Sequence, residues 1–284
     1  MSRKKTLQNS PKDLQSQAMN RLSFLMILII SIVSLRSISR AESAPEVNVL
    51  FQNALTAYKK KNLEEAKQIF SQILKTTPSS EVYYDLGLVE YESKNLGPAV
   101  ANWRKALALD PNNQLADQSL LFIKKRIEHP ELNRHTDNFE VLRERLLNHS
   151  QLEYLVLFSC FIFLGSSWLL LSYIGERRRS REQELTVPTL PWTMPIMALL
   201  LIISIGMSGA KIYDSSIVRA TVLPSKIQVL SAPDAESTQL FELFEGLEVI
   251  VESSQGEYVQ VSFPGGMTGW TLRKNLMLND GQES

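Results

Sequence analysis

The chain has 284 residues, a formal net charge of zero, one cysteine and three histidines. A neutral balance argues against nucleic acid as a partner, because such proteins carry a basic footprint, and a lone cysteine means that the soluble parts fold without disulfides. Once three apolar segments are set aside, two soluble regions of roughly domain size remain, which suits a membrane-tethered protein with modest domains better than a large enzyme.

Residues 1–41 read as an N-terminal region with an export signal. Arg21 precedes the apolar run Leu22–Leu35, which ends near Ser39-Arg40-Ala41, a small-x-small cleavage pattern. The run is about 21 Å long as a helix, short for a spanning segment, and an uncleaved anchor remains an alternative. Met19-Asn20-Arg21 would also make an ordinary signal-peptide start, so residues 1–18 read either as lying upstream of the true start or as a long n-region.

An internal repeat appears from residue 47 when the chain is shifted by 33 positions. Phe51 then falls on Tyr84, Leu55 on Leu88, Tyr58 on Tyr91, Leu63 on Leu96, Ala66 on Ala99, Phe70 on Trp103, Leu74 on Leu107 and Pro78 on Pro111. Apolar residues recur at helical spacing, break at Lys61-Asn62 or Lys94-Asn95, resume, and stop before proline, so each unit (47–79 and 80–113) is a helix-turn-helix. A pair this short cannot bury its own apolar face, and stacking must supply the core. A third helix over 114–127 should cap the stack through Leu115, Leu120, Phe122 and Ile123, closing a helical domain over 45–128. The connector 129–151 could extend the stack through Phe139, Leu142 and Leu146.

The second unit resembles a tetratricopeptide repeat, with Tyr83, Leu86, Gly87, Ala99, Trp103, Ala106 and Asp110-Pro111 at that family's spacing. The first has Ala54 in place of the glycine, and Ala57 and Glu90 stand where the family usually puts a tyrosine. The resemblance implies an all-α solenoid whose first helices line a peptide or protein groove. Here the groove would present Phe51, Leu55, Tyr58, Tyr84, Leu88 and Tyr91, unless about half of these are simply core. Asp85 occupies a position where the family's carboxylate clamp wants asparagine, so a chaperone-tail ligand is not expected.

Two uncharged stretches follow, Leu155–Ile174 and Leu190–Ala210, each long enough to cross a bilayer, which gives a first transmembrane helix over 152–174 and a second over 190–211. Between them residues 175–189 form a loop with Arg177, Arg178, Arg179 and Arg181. Short cytoplasmic loops collect Lys and Arg, so these arginines set the topology and both soluble regions emerge on the outer side. The alternative, a hairpin buried in a globular core, would leave those arginines without partners. Cys160 lies within the first stretch, and packing is the role expected of it.

From 217 to 280 the pattern becomes strand-like. Ile227–Val229, Leu247–Val251 and Tyr258–Ser262 alternate apolar and polar positions between turns at Pro233-Asp234, Glu245-Gly246, Gln255-Gly256 and Pro264-Gly265-Gly266, which predicts a small β-barrel. Val229, Pro233, Leu243, Gly246, Val249, Tyr258 and Gly266-Met-Thr-Gly269-Trp270 resemble a bacterial SH3 domain. Tyr258, Phe263 and Trp270 are candidates for its ligand face or its core, and Glu242, Glu245, Glu248, Glu252 and Glu257 read as a solvated acidic face.

No catalytic constellation emerges. His129, His135 and His149 lack metal-ligand spacing and cysteine companions, no exported cysteine could act as a nucleophile, and neither metal nor cofactor is expected. The order of modules makes this a multidomain membrane protein: an all-α tetratricopeptide solenoid, a transmembrane helical hairpin and a small all-β SH3-like barrel. That order resembles the BatE-type proteins of the Bacteroides-type aerotolerance operon over nearly the whole chain. The resemblance implies a non-enzymatic scaffold in the bacterial inner membrane, multi-pass with both soluble domains in the periplasm, working with von Willebrand A-domain membrane proteins and a MoxR-type ATPase in oxidative-stress tolerance. An alternative is a peptidoglycan-binding anchor or sensor that recruits a hydrolase, which exposed aromatics at Tyr258 and Phe263 would favour.

Overall fold

The computed structural model describes residues 45–127, 143, 152–186, 188–263 and 266–279. The expected export signal, the three histidines and the connector apart from Arg143 lie outside the described residues. Contacts group Val49–Ser284 into one unit, distinct from Met1–Asn48, of which only the first turn of α1 is described.

Five helices come first: α1 (Pro45–Lys59), α2 (Leu63–Thr76), α3 (Ser80–Glu92), α4 (Leu96–Leu109) and α5 (Gln114–Ile127). The repeat seen in the sequence is repeated in backbone detail. Lys61 (φ 61°) and Lys94 (φ 66°) both adopt the left-handed conformation. In the first unit Lys61 N–H donates to the Tyr58 carbonyl and Asn62 N–H to that of Ala57; in the second, Lys94 N–H donates to Tyr91 and Asn95 N–H to Glu90. These are two Schellman ends, each reversing the chain into the next helix.

Phe70 and Trp103 are the large buried side chains of the two units. Phe51 meets Phe70 edge-on at 5.9 Å, and Trp103 packs so closely on Gly87 that a Cβ there would enter the indole. Glu90 is buried, with Lys67 at 2.9 Å and Asn95 at 2.8 Å as partners for its carboxyl oxygens.

Helix α5 packs on the stack through Leu120 and Ile123, two of the four residues expected there, joined by Ala116. Ala116 and Ile123, seven residues apart, are fully buried, and Leu120 is half-buried. Leu115 and Phe122 stand one residue earlier, about 100° round the helix, and are 56% and 68% exposed.

Two long helices follow, α6 (Leu152–Glu182) and α7 (Thr193–Ser216), packed against each other. Both are long and apolar enough to cross a membrane, and only 6% and 11% of their most apolar windows are buried, so they are not the core hairpin of a globular domain. Between them Ser159 Oγ lies 2.6 Å from Ser204 Oγ and 3.2 Å from Ser208 Oγ, polar contacts that satisfy hydroxyls inside an apolar pair. The arginines do not form a loop: Arg177, Arg178, Arg179 and Arg181 lie on the last turns of α6, where cations complement the carbonyl end of the helix dipole. The first long helix therefore continues past residue 174, and the link to α7 is shorter than 175–189.

Seven antiparallel strands complete the chain: β1 (Arg219–Val222), β2 (Lys226–Leu230), β3 (Gln239–Phe244), β4 (Glu248–Gln255), β5 (Tyr258–Phe263), β6 (Met267–Leu272) and β7 (Leu276–Leu278), in the order β3-β2-β6-β5-β4-β1-β7. Residues from β1 to β5, among them Val222, Val229, Leu243, Val249, Val261 and Phe263, meet in one core, so the sheet curls over itself. Gly246 (φ 78°), Gly256 (φ 60°) and Gly266 (φ 82°) take left-handed conformations at three of the turns read from the sequence.

Candidate functional site

The helical face comes first. Phe51, Leu55, Tyr58, Tyr84, Leu88 and Tyr91 are all half-buried, on the first helix of each unit. Some of them also have structural duties: Phe51 packs on Phe70, the Tyr84 carbonyl accepts from Trp103 Nε1 (3.2 Å), and Tyr91 lies 5.9 Å from the Trp103 ring. Tyr58 donates to Glu92 Oε1 (2.7 Å), which also receives Lys61 at its other oxygen. Burial, and then the hydrogen bond to Glu92, push the Tyr58 phenol well above its usual range, so it stays a neutral donor. Phe122 of α5, absent from the groove read in the sequence, joins this face through an edge contact with Tyr91 at 6.4 Å.

On the sheet, strand alternation separates the three aromatic candidates. Val259, Val261 and Phe263 point inward, and Phe263 is 2% exposed, a core residue. Tyr258 and Trp270 are half-buried on the outer side, where Gln260 pairs with Trp270 and Tyr258 with Leu272. Trp270 lies outside the main core cluster.

A third site, missed in the sequence, lies where α4 meets the sheet. β1 is buried along its whole length: Ala220 and Val222 face the sheet core, while Arg219 and Thr221 face a cluster of charges. Arg104 of α4 donates to Thr221 Oγ1 (2.8 Å) and lies 3.9 Å from Glu248 Oε1. Arg143 pairs with Glu248 Oε2 (3.0 Å) and Asp214 Oδ1 (3.4 Å), and Arg219 with Asp214 Oδ1 (2.8 Å). Asn279 links the tail to Glu248 (2.7 Å) and Thr221 (2.6 Å). One network therefore ties the second helical unit, the connector, the end of α7 and both ends of the sheet domain.

Glu248 is thus no member of a solvated acidic face. Burial alone would raise its carboxyl, but Arg104, Arg143 and Arg219 overcome that and hold it at about 2. Glu245 is drawn in as well, accepting from Gly97 N–H at 3.2 Å. A signal for this junction was present in the repeat. At 33-residue spacing the first unit has Glu64, Gln68, Ser71, Gln72 and Lys75 where the second has Gly97, Ala101, Arg104, Lys105 and Ala108. The polar set lines an open surface, whereas Gly97 and Ala101 are buried.

Among the described residues no three of His, Cys, Asp and Glu gather as a metal site requires. Cys160 is exposed on α6. No protein-family model matches the chain, and no curated protein matches it.

Proposed function

We propose that the chain is a membrane-anchored, non-enzymatic adaptor of the bacterial envelope, in which tetratricopeptide-type helices and an SH3-like barrel bind partner proteins on the periplasmic side of the inner membrane. The junction of α4 with β1 carries the proposal. An ion-pair network buried between two modules and rooted at the end of α7 holds two candidate binding faces at a fixed spacing beside the lipid bilayer, which raises the effective concentration of one partner for the other. The resemblance in module order to the BatE-type aerotolerance proteins puts von Willebrand A-domain membrane proteins and a MoxR-type ATPase system first among the partners.

The test is affinity purification of the tagged, detergent-solubilised protein from its own host, with mass spectrometry of what co-purifies. A-domain proteins in stoichiometric yield are the expected outcome. Cell-wall fragments or hydrolases without A-domain proteins would instead favour a peptidoglycan anchor, for which the outward Tyr258 and Trp270 offer an aromatic platform on the sheet.

A further inference from the structure

The groove between α3 and α5 has a chemistry of its own. Its upper part is apolar, built from Leu88, Tyr91 and the exposed Phe122, with Tyr91 and Phe122 in ring contact. Its lower part opens into a concavity of about 480 Å³ lined by Glu81, Tyr84, Asp85, Asp110, Gln114 and Leu115, together with Asn112 and Asn113. Three of these are carboxylates and none is a lysine or arginine. A helix that only ended the stack would carry a polar outer face. Instead α5 offers Leu115 and Phe122 to the groove and leaves both largely exposed.

We propose that this groove takes a basic, apolar segment of a partner protein, with one lysine or arginine set against Asp85 and the neighbouring apolar side chains laid over Tyr84, Leu88, Tyr91 and Phe122. The assignment rests on the protein-binding function proposed above and adds the charge of the ligand to it. Charge complementarity selects this occupant. A second copy of the chain docked face to face would set Glu81, Asp85 and Asp110 against their own images, and like charges in apposition cost affinity. An acidic peptide meets the same repulsion. Among the described residues no lysine or arginine lines this concavity, and burial, and then the charge of Glu81, push the Asp85 carboxyl up to about 6. An arriving ammonium or guanidinium would reverse that shift and gain a charge-assisted hydrogen bond.

The test uses the full chain in lipid nanodiscs, with random dodecapeptides displayed on phage as the probe and empty nanodiscs for counter-selection. Selected peptides should carry Lys or Arg within one helical turn of an aromatic or aliphatic residue. The affinity of a synthetic copy should fall about tenfold in both Asp85→Lys and Phe122→Ser, and less in the isosteric Asp85→Asn, while Glu64→Lys on the outer face of α2 leaves it unchanged. Thermal melting of each variant checks that the helices still stack. Selection of acidic or uncharged peptides that are lost in Phe122→Ser but bind Asp85→Lys equally well would overturn the charge assignment and leave the protein-binding groove standing. Selected peptides indifferent to both positions, or no selection over empty nanodiscs, would overturn both.

Discussion

Gly97 lies against the Leu223 carbonyl at a separation that leaves no room for a side chain between them. The obstruction is backbone on both sides, since the Val222 carbonyl closes the same space, so it cannot be relieved by a rotamer change. Gly97→Ala should therefore force α4 away from β1 and stretch the Arg104–Thr221 bond, destabilising the junction by about 1–3 kcal/mol, the usual range for overpacking. Position 64 is the repeat-equivalent residue and is exposed, so Glu64→Ala should stay within about 0.5 kcal/mol of the parent. Thermal denaturation and limited proteolysis of the two variants measure the contrast.

The same junction sets an acid limit. The Glu248 carboxyl lies at about 2 in the folded protein, against an ordinary value of 4.5. A depressed carboxylate contributes stability that is complete above the ordinary value and is lost as pH falls through the folded one. The module contact should thus weaken between about pH 4.5 and pH 2, as Glu248 ceases to balance Arg104, Arg143 and Arg219 beside Asp214. Glu248→Gln should show the loosened state already at neutral pH, at a cost of about 3 kcal/mol for breaking a buried pair. Denaturant titrations of parent and variant across this range will show the acid-dependent part of the curve vanish in the variant.

Lys94 holds a left-handed backbone at φ 66° with an exposed side chain. Glycine reaches this conformation without the Cβ penalty, so Lys94→Gly should stabilise the second helical unit by about 1 kcal/mol. The matching change at Lys61 should gain less, because Lys61 also pairs with Glu92 across the two units. Midpoints of chemical denaturation for the two variants rank the effects.

What the sequence disclosed follows its periodicities. The 33-residue shift exposed the helix pairs because identical turns need identical residues at Tyr58-Lys61-Asn62 and Tyr91-Lys94-Asn95. Apolar length exposed α6 and α7, and turn glycines exposed the later strands. β1 stayed hidden because Arg-Ala-Thr-Val alternates over only four residues, too short a run to read as a strand, and its polar side, Arg219 and Thr221, is buried against a charge network instead of facing solvent. Glu248 was misjudged for a related reason: its alternation with Val249 assigns it to the outer face of the sheet, and nothing local says that a helix covers that face. The groove residues were half legible, since helical spacing found Tyr84, Leu88 and Tyr91 but placed Phe122 in the core, one residue out of phase with Ile123.

Asp85 separates stability from binding. Its carboxyl is raised to about 6 from an ordinary 3.8, so the folded protein holds its proton more tightly than the unfolded chain, and the charged form opposes folding above that pH. Asp85→Asn removes the charge and keeps the shape. It should raise stability at pH 7 by of the order of 1 kcal/mol and have no effect at about pH 3 and below, where the parent residue is largely protonated in both states. The parent should likewise become easier to unfold, through this group, as pH climbs from about 4 to above 6. Melting curves of parent and variant at pH 3 and pH 7 give the sign directly. A stability gain confined to pH 7, joined to the loss of basic-peptide affinity in the same variant, is what a carboxylate kept for a ligand rather than for the fold produces.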